Sequence, residues 1–416
     1  MDKHIPQGYK DSPLGIIPNE WEVKRLGDLG SFKNGLNFSP NDSGISYYFL
    51  GVGDFLNRNV IDVRNLGHIH LKDKLDESYL IKDQDLVFVR SNGSKSLVGR
   101  SVLIKSNQEE ATYSGFCIRF RSDNKCTTTK YIQHLINVGY LKRFLVYEGR
   151  GTNITNLNQD ILGRLSFPIP PIAEQDRVLH ILSIWDTAIE KQSELVEKLK
   201  LRKRALMQQL LTGKKRLPGF SGEWKVQRIK DHFMQIEDRN DGKGHIPMTI
   251  SAKYGLVSQK DKFDRVVAGN SLEKYTLLRK VDFAYNKGNS NLYEMGCIYR
   301  LKEESAVVPF VYICFRTKDN TCSEFYKHFF INHGLDSQLK RIITSGARGD
   351  GLLNVNSEDF MSLKIPHPII EEQEAIANVL NSADKEIELA KEKLSNLLSQ
   401  KRGLMQQLLT GKKRIK

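Results

Sequence analysis

Ten residues in a row, MQQLLTGKKR, stand at Met207–Arg216 and again at Met405–Arg414. Such a run at one fixed separation is not chance. The same offset of 198 carries Glu174-Gln175 onto Glu372-Gln373 and Arg150-Gly151 onto Arg348-Gly349. It also carries Asn156-Leu157-Asn158 onto Asn354-Val355-Asn356, and Pro168 and Pro170 onto Pro366 and Pro368. The start of each half matches at an offset of 203. There LGIIPNEWEVKRL from Leu14 parallels LPGFSGEWKVQRI from Leu217, setting Trp21 on Trp224 and Arg25 on Arg228. Between these anchors the halves diverge. A period of about 200 residues is far too long for a solenoid repeat, so the chain is a duplicated domain with variable bodies and repeated tails. Its 416 residues allow two or three domains.

The tail has one dominant periodicity. Val178, Leu182, Trp185, Ile189, Gln192, Val196, Leu199, Lys203, Leu206 and Leu210 alternate by four and three, an a/d heptad seam. The copy gives Ile376, Leu380, Ala383, Ile387, Ala390, Leu394, Leu397, Lys401, Leu404 and Leu408. Pro170 and Pro171 precede the first helix, and Glu174 suits the positive end of its dipole. Thr212-Gly213 and Thr410-Gly411 read as stops. Each helix is roughly 38 residues, about 57 Å. Such a stripe must be buried, on its own body or on the other helix. Two narrow seams of equal length favour the second. Thr212–Glu223 is a short link, so the second body starts where the first helix ends and the pair must run antiparallel. Lys203 and Lys401 interrupt the seam at equivalent places and either snorkel out or meet an acid on the opposite helix.

The bodies mix strand-like runs with turns: Tyr47-YFLGV, Asp85-LVFVR, Val102-LI and Phe116-CIRFR, then a helical stretch from Tyr131. The second body repeats the order with Val281-DFAYN, Cys297-IYRL, Val311-YICFR and a helix from Ser323. The fold class expected is α+β. Two globular domains related by a pseudo-twofold are joined by two long helices in an antiparallel coiled coil.

The chain carries 63 Lys+Arg against 49 Asp+Glu, a formal charge of +14, which favours a polyanionic partner, nucleic acid first. No run is long and apolar enough to span a membrane, and the polar start MDKHIPQGYKDS lacks a signal core, so no membrane partner and a cytoplasmic location are expected. Five cysteines (Cys117, Cys126, Cys297, Cys314, Cys322) form no CxxC pair, which fits a reducing compartment. His68 and His70 are the nearest thing to a metal pair and have no third ligand, so no metal site is expected. There is no GxxxxGK[ST] loop, no Asn/Asp-Pro-Pro-Tyr/Phe motif, no Pro-Asp dipeptide, no GxSxG and no HExxH. This composition reads as a binding and assembly protein.

Two variable bodies, each followed by a repeated long helix, resemble the specificity (S) subunit of type I restriction-modification systems. The residues that carry the resemblance are Trp21 and Trp224 with their flanks, Asp85-LVFVRSNG and Asp282-FAYNKGN, and Arg150-GTNITNLN and Arg348-GDGLLNVN. The Phe167-PIPP and Ile365-PHP exits, the two Glu-Gln pairs and the MQQLLTGKK ends add to it. The resemblance implies that each body is a target recognition domain reading one half of a bipartite site on double-stranded DNA. It implies that the helices set the spacing and dock two methyltransferase (M) subunits, which bind S-adenosylmethionine and methylate adenine. Two restriction (R) subunits would add cleavage dependent on ATP and Mg²⁺. This chain itself would bind no cofactor and would be no enzyme.

The boundaries expected are 1–170 for the first recognition domain, 171–213 for the first repeated helix, 214–368 for the second domain, and 369–416 for the second helix with its basic end. A helix of about 57 Å corresponds to an upper limit of roughly 17 base pairs between readers. Two weak readers on one scaffold gain affinity because the second contact becomes intramolecular.

Arg90, Ser91, Asn92 and Lys95 follow a strand and offer base-edge and phosphate donors; Asn286, Lys287 and Asn289 are their counterparts. Arg150, Asn153 and Arg348 sit in glycine-rich turns present in both halves, which suits phosphate contact or a structural turn better than base reading. Lys198–Arg204 and Lys214-Lys215-Arg216 read first as solvated helix ends, otherwise as contacts with phosphate or M. Trp21 and Trp224 read as core anchors. Two other readings stay open: a coiled-coil scaffold with only nonspecific DNA binding, and a nuclease or methyltransferase with an unrecognised site.

Overall fold

The computed structural model describes residues 5–37, 43–56, 59–91, 97–123, 125–147, 156–263, 269–288, 293–343 and 353–415. Packing divides the chain into two compact units: Met1–Gln192 with Lys393–Lys416, and Ser193–Glu392. Each unit therefore takes its body from one repeat and part of its helical material from the other.

In the first unit the principal sheet has five strands, ordered Gly30–Asn34, Cys117–Ser122, Leu86–Val89, Ser101–Lys105 and Val60–Asp62. Neighbours run antiparallel except the last pair. A smaller sheet sets Ile45–Leu50 between Ala111–Tyr113, in parallel, and Gly67–Leu71. The second unit repeats the plan. Its principal sheet is ordered Phe233–Gln235, Ile313–Thr317, Phe283–Asn286 and Cys297–Arg300. Beside it Ile246–Ser251 pairs in parallel with Ser305–Val308. In each unit an opening strand pairs antiparallel with the exit strand: Glu22–Arg25 with Ser166–Ile169, and Lys225–Arg228 with Lys364–His367. The expected strands and the helices after Tyr131 and Ser323 all form.

The central strand of each principal sheet is apolar at nearly every position because both its faces are covered. Leu86 and Phe88 enter one core, while Val87 and Val89 enter another. Phe283 and Tyr285 likewise enter one core and Ala284 another. Successive side chains of a strand point to opposite faces, so a run without alternation feeds two cores at once.

An aspartate starts each of these strands. Asp85 is buried, accepts a fork from Arg121 (Nε 2.8 Å, Nη2 2.7 Å) and accepts the Lys82 N–H at 2.7 Å. Asp282 does the same with Arg316 (3.1 and 2.7 Å) and the Arg279 N–H at 2.8 Å.

The long helices are Ile172–Leu210 and Ile370–Leu408, each of 39 residues. At 1.5 Å per residue each is about 58 Å long. Within the first unit Glu174 of the first helix meets Arg414, and Asp186 meets Lys401. Within the second unit Lys203 meets Asp384 at 2.5 Å, and Arg216 meets Glu372 at 2.6 Å. As one number rises its partner falls, so the helices run antiparallel. The seam lysines each meet an acid on the opposite helix.

The helices pair, and their ends also enter the cores of the bodies. Val178, Leu182, Met405, Leu408 and Leu409 join the first body's core. Met207, Leu210, Leu211, Ile376 and Leu380 join the second. Val196, Leu199, Ile387 and Ala390 form a small cluster of helix residues alone. Trp185, Ile189, Leu206, Leu394, Leu397 and Leu404 are half-buried.

A histidine lies buried in each unit close to the interhelical ion pair. Burial, with Lys401 nearby, lowers His134 to about 4. Burial, with Lys327 and Lys203 nearby, lowers His328 to about 4, and Asn381 Oδ1 lies 2.9 Å from its Nε2. Each ring stays neutral in the fold, whereas in the unfolded chain it takes up a proton below pH 6.5. Stability is therefore lost as pH falls from 6.5 towards 4, by about 2 kcal/mol per histidine at pH 5. Urea denaturation at pH 7 and pH 5 should show this loss, and a His134→Leu, His328→Leu double variant should lose less. An equal loss in both proteins would contradict the assignment.

Candidate nucleic-acid interface

The aspartate fork fixes the start of the central strand, and the strand's other end carries the proposed reading segment. Arg90 is half-buried, and its backbone N–H donates to Phe116 O at 2.8 Å. Its guanidinium Nε donates to Asn156 Oδ1 at 3.4 Å, and Leu157 N–H donates to Arg90 O at 2.8 Å. Ser91 forms a bridge with Asn156. In the second unit Leu353 N–H donates to Lys287 O at 2.9 Å, and Lys287 Nζ donates to Val355 O at 3.3 Å. Asn286 Oδ1 accepts the Gly288 N–H at 2.9 Å, a local turn. In both units the strand end is thus tied to the segment that precedes the exit. Asn92, Lys95, Arg150, Asn153, Asn289 and Arg348 lie outside the described residues.

Part of the Asn-x-Asn repeat has a structural account. Asn158 Oδ1 accepts the Ile161 N–H at 2.8 Å and caps the helix Gln159–Arg164. Asn356 does the same for Ser357–Met361 through the Asp359 N–H at 2.7 Å. Leu157 and Val355 between the asparagines are buried. The second asparagine of each triplet therefore holds backbone, while Asn156 faces Arg90.

The Trp, Glu-Gln and terminal Arg signals converge on one device in each unit. Glu174 is buried, accepts from Trp21 Nε1 at 3.1 Å and receives Arg414 (Nε 3.2 Å, Nη2 2.8 Å). Glu372 is buried, accepts from Trp224 Nε1 at 2.9 Å and receives Arg216 (both contacts 2.6 Å). Each arginine belongs to the tail of the other repeat, so the two closures are reciprocal. Glu20 adds to the first, and Arg414 is held charged by Glu174 and Glu20.

Gln175 ties the helix start to its body, donating to Cys126 O and Pro170 O, each at 2.8 Å. Gln373 donates to Pro368 O at 2.8 Å and accepts from Cys322 N at 2.9 Å. Trp21 is fully buried and Trp224 half-buried, as anchors. Gly411 and Gly213 take positive φ where the chain turns; a Cβ on Gly411 would strike Pro18 at 2.5 Å. The roles of Arg121, Arg316, Arg216 and Arg414 needed the structure, because sequence spacing does not reveal a partner more than 30 residues away.

Among the described residues no three His, Cys, Asp or Glu gather as metal ligands, and no helix is long and apolar enough to cross a membrane. His68 packs on Tyr48, ring centroids 4.2 Å apart.

The family model for the type I restriction modification DNA specificity domain matches residues 18–200 and 243–399. The chain is 25% identical over 439 residues to the MjaX type I restriction enzyme specificity subunit of Methanocaldococcus jannaschii, covering 99% of this chain and 97% of that one. It is 23% identical over 424 residues to the EcoKI specificity subunit of Escherichia coli K12, covering 95% and 89%. A chain solved in work on the assembly and conformational transition of the type I R-M system superposes with a TM-score of 0.62. That match is 14% identical and covers 95% of this chain and 99% of the other, a likeness of fold. With its duplicated reader, its paired helices and a family match across most of its length, the chain belongs to the type I restriction-modification DNA specificity family, a DNA-recognition subunit and not an enzyme by itself.

Proposed function

We propose that each unit reads one half of a bipartite site on double-stranded DNA, and that the paired helices fix the gap and dock two M subunits. Residues 1–170 and 214–368 are the recognition domains; 171–213 and 369–416 are the repeated helices. Two R subunits join for cleavage. S-adenosylmethionine belongs to M, and ATP and Mg²⁺ to R. The assembly works where the chromosome is, in the cytoplasm.

One observation carries this reading. The exchange of tails is reciprocal, with Arg414 closing on Glu174 and Arg216 on Glu372, while the bodies differ in sequence. An assembly frame repeated around divergent bodies is what two readers of different targets require.

Arg90, Ser91, Asn92 and Lys95 are proposed DNA contacts in the first unit, and Asn286, Lys287 and Asn289 in the second. Arg150, Asn153 and Arg348 are proposed to meet phosphates, which position the duplex without carrying sequence. The net charge of +14 supports a salt-dependent contribution from the whole surface.

Body exchange tests the reading. Residues 21–167 replaced by the equivalent body of another specificity subunit should change one half of the methylated motif and leave the other half as before. A change in both halves, or in neither, would overturn the assignment of one reader to each half.

A further inference from the structure

We infer that Phe116 and Phe310 are a matched pair of DNA-contacting rings, one in each recognition domain, setting how deeply the reading segment enters the duplex. This rests on the recognition function proposed above.

The two residues are not aligned by the repeat offset; the topology equates them. In the first unit the strand Ala111–Tyr113 of the small sheet leads directly into Cys117–Ser122 of the principal sheet. In the second, Ser305–Val308 leads into Ile313–Thr317 in the same way. Both connections are tight turns, closed by Cys117 N–H to Ser114 O at 2.9 Å and by Tyr312 N–H to Pro309 O at 3.0 Å. Phe116 and Phe310 hold central positions of these turns. They are 58% and 59% exposed. Among the described residues the other exposed phenylalanine is Phe263.

The turns lie beside the reading segments. Phe116 O accepts the backbone N–H groups of Arg90 and Ser91 at 2.8 and 3.4 Å. Val89 pairs with Cys117, and Tyr285 pairs with Ile313, so the strand ends carrying Arg90 and Asn286 are at the same end of the sheet as the turns. The first turn is fixed on its inner side, where the Gly115 N–H donates to Leu36 O at 2.8 Å.

What the turns share is a displayed ring, not a sequence, since Ser-Gly-Phe stands in one and Pro-Phe-Val in the other. A feature kept by topology in two readers of different targets suits a task that does not depend on base identity. A ring cannot bind phosphate, but inserted at a base step of the duplex it stacks on the bases it parts, a contact that any base offers.

The test uses the full chain with its M subunit, a duplex bearing the motif methylated by the wild-type complex, and N6-methyladenine mapping. Phe116→Ala and Phe310→Ala should each weaken duplex binding about tenfold, the loss of one base–aromatic contact. The motif read should stay the same, M should co-purify as before, and Phe→Trp at either position should restore binding. Phe263→Ala, also exposed (45%) but elsewhere, should change nothing. Wild-type affinity in both alanine variants would overturn the inference, and so would loss of M binding, which would place the rings at a protein interface. If the wild-type complex methylates no motif, the recognition function itself fails, a different result from a normal motif with indifferent phenylalanines.

Discussion

Deleting residues 405–416 will unfold the first unit and spare the second. Met405, Leu408 and Leu409 are buried in the first body's core, and Arg414 is the partner of the buried Glu174. Three buried apolar side chains contribute about 5 to 9 kcal/mol at about 1.5 to 3 each. The deletion also strands a carboxylate in the interior, which costs several more. That loss matches the whole stability of a typical domain, about 5 to 15 kcal/mol. The second unit takes its closure from Met207, Leu210, Leu211 and Arg216, which the deletion leaves in place. Limited proteolysis should therefore cut within the first body while residues 193–392 resist. Equal resistance of both units, or a thermal profile unchanged from the full chain, would contradict the exchange of tails.

Asp85→Ala should cost about 3 kcal/mol, and Asp282→Ala a similar amount. Each aspartate is nearly inaccessible (1% and 3%), while its arginine is 28% exposed. Losing the carboxylate leaves the arginine half-satisfied and a backbone N–H without its acceptor. The next residues form the strand that leads to Arg90 or Asn286, the proposed DNA contacts, so the loss should weaken duplex binding as well. Chemical denaturation of the full chain measures the cost, and Asp→Asn should restore part of it by accepting the backbone N–H again. A change below about 0.5 kcal/mol, the scale of an ordinary surface substitution, would show that the fork does not hold the strand.

Much of this was legible in the sequence. The duplication, the helix lengths, the antiparallel direction and the principal strands follow from repeats, heptad spacing and short links, which are local signals. The decapeptide repeat is explained by its position: it ends each helix inside the other repeat's unit, where Met207 or Met405 is buried and the terminal arginine finds a glutamate. Which glutamate was not legible, because Arg414 and Glu174 are joined by the fold and not by spacing. The open question at Lys203 and Lys401 was settled by Asp384 and Asp186, which lie off the heptad seam and carry no sequence signal of pairing. The assignment of the proposed reading loops rests on composition alone. Of that group the structure ties Arg90 to Asn156 and Lys287 to Val355, and it turns Asn158 and Asn356 into helix caps, a role that any Asn-x-x pattern could have suggested.

The most direct test of two readers on one frame is single-molecule sequencing of DNA from cells expressing this chain with its M subunit. The account predicts N6-methyladenine at one motif made of two defined halves separated by a fixed gap. Methylation scattered without a motif, or a motif of a single continuous block, with M bound to the chain in both cases, would contradict it.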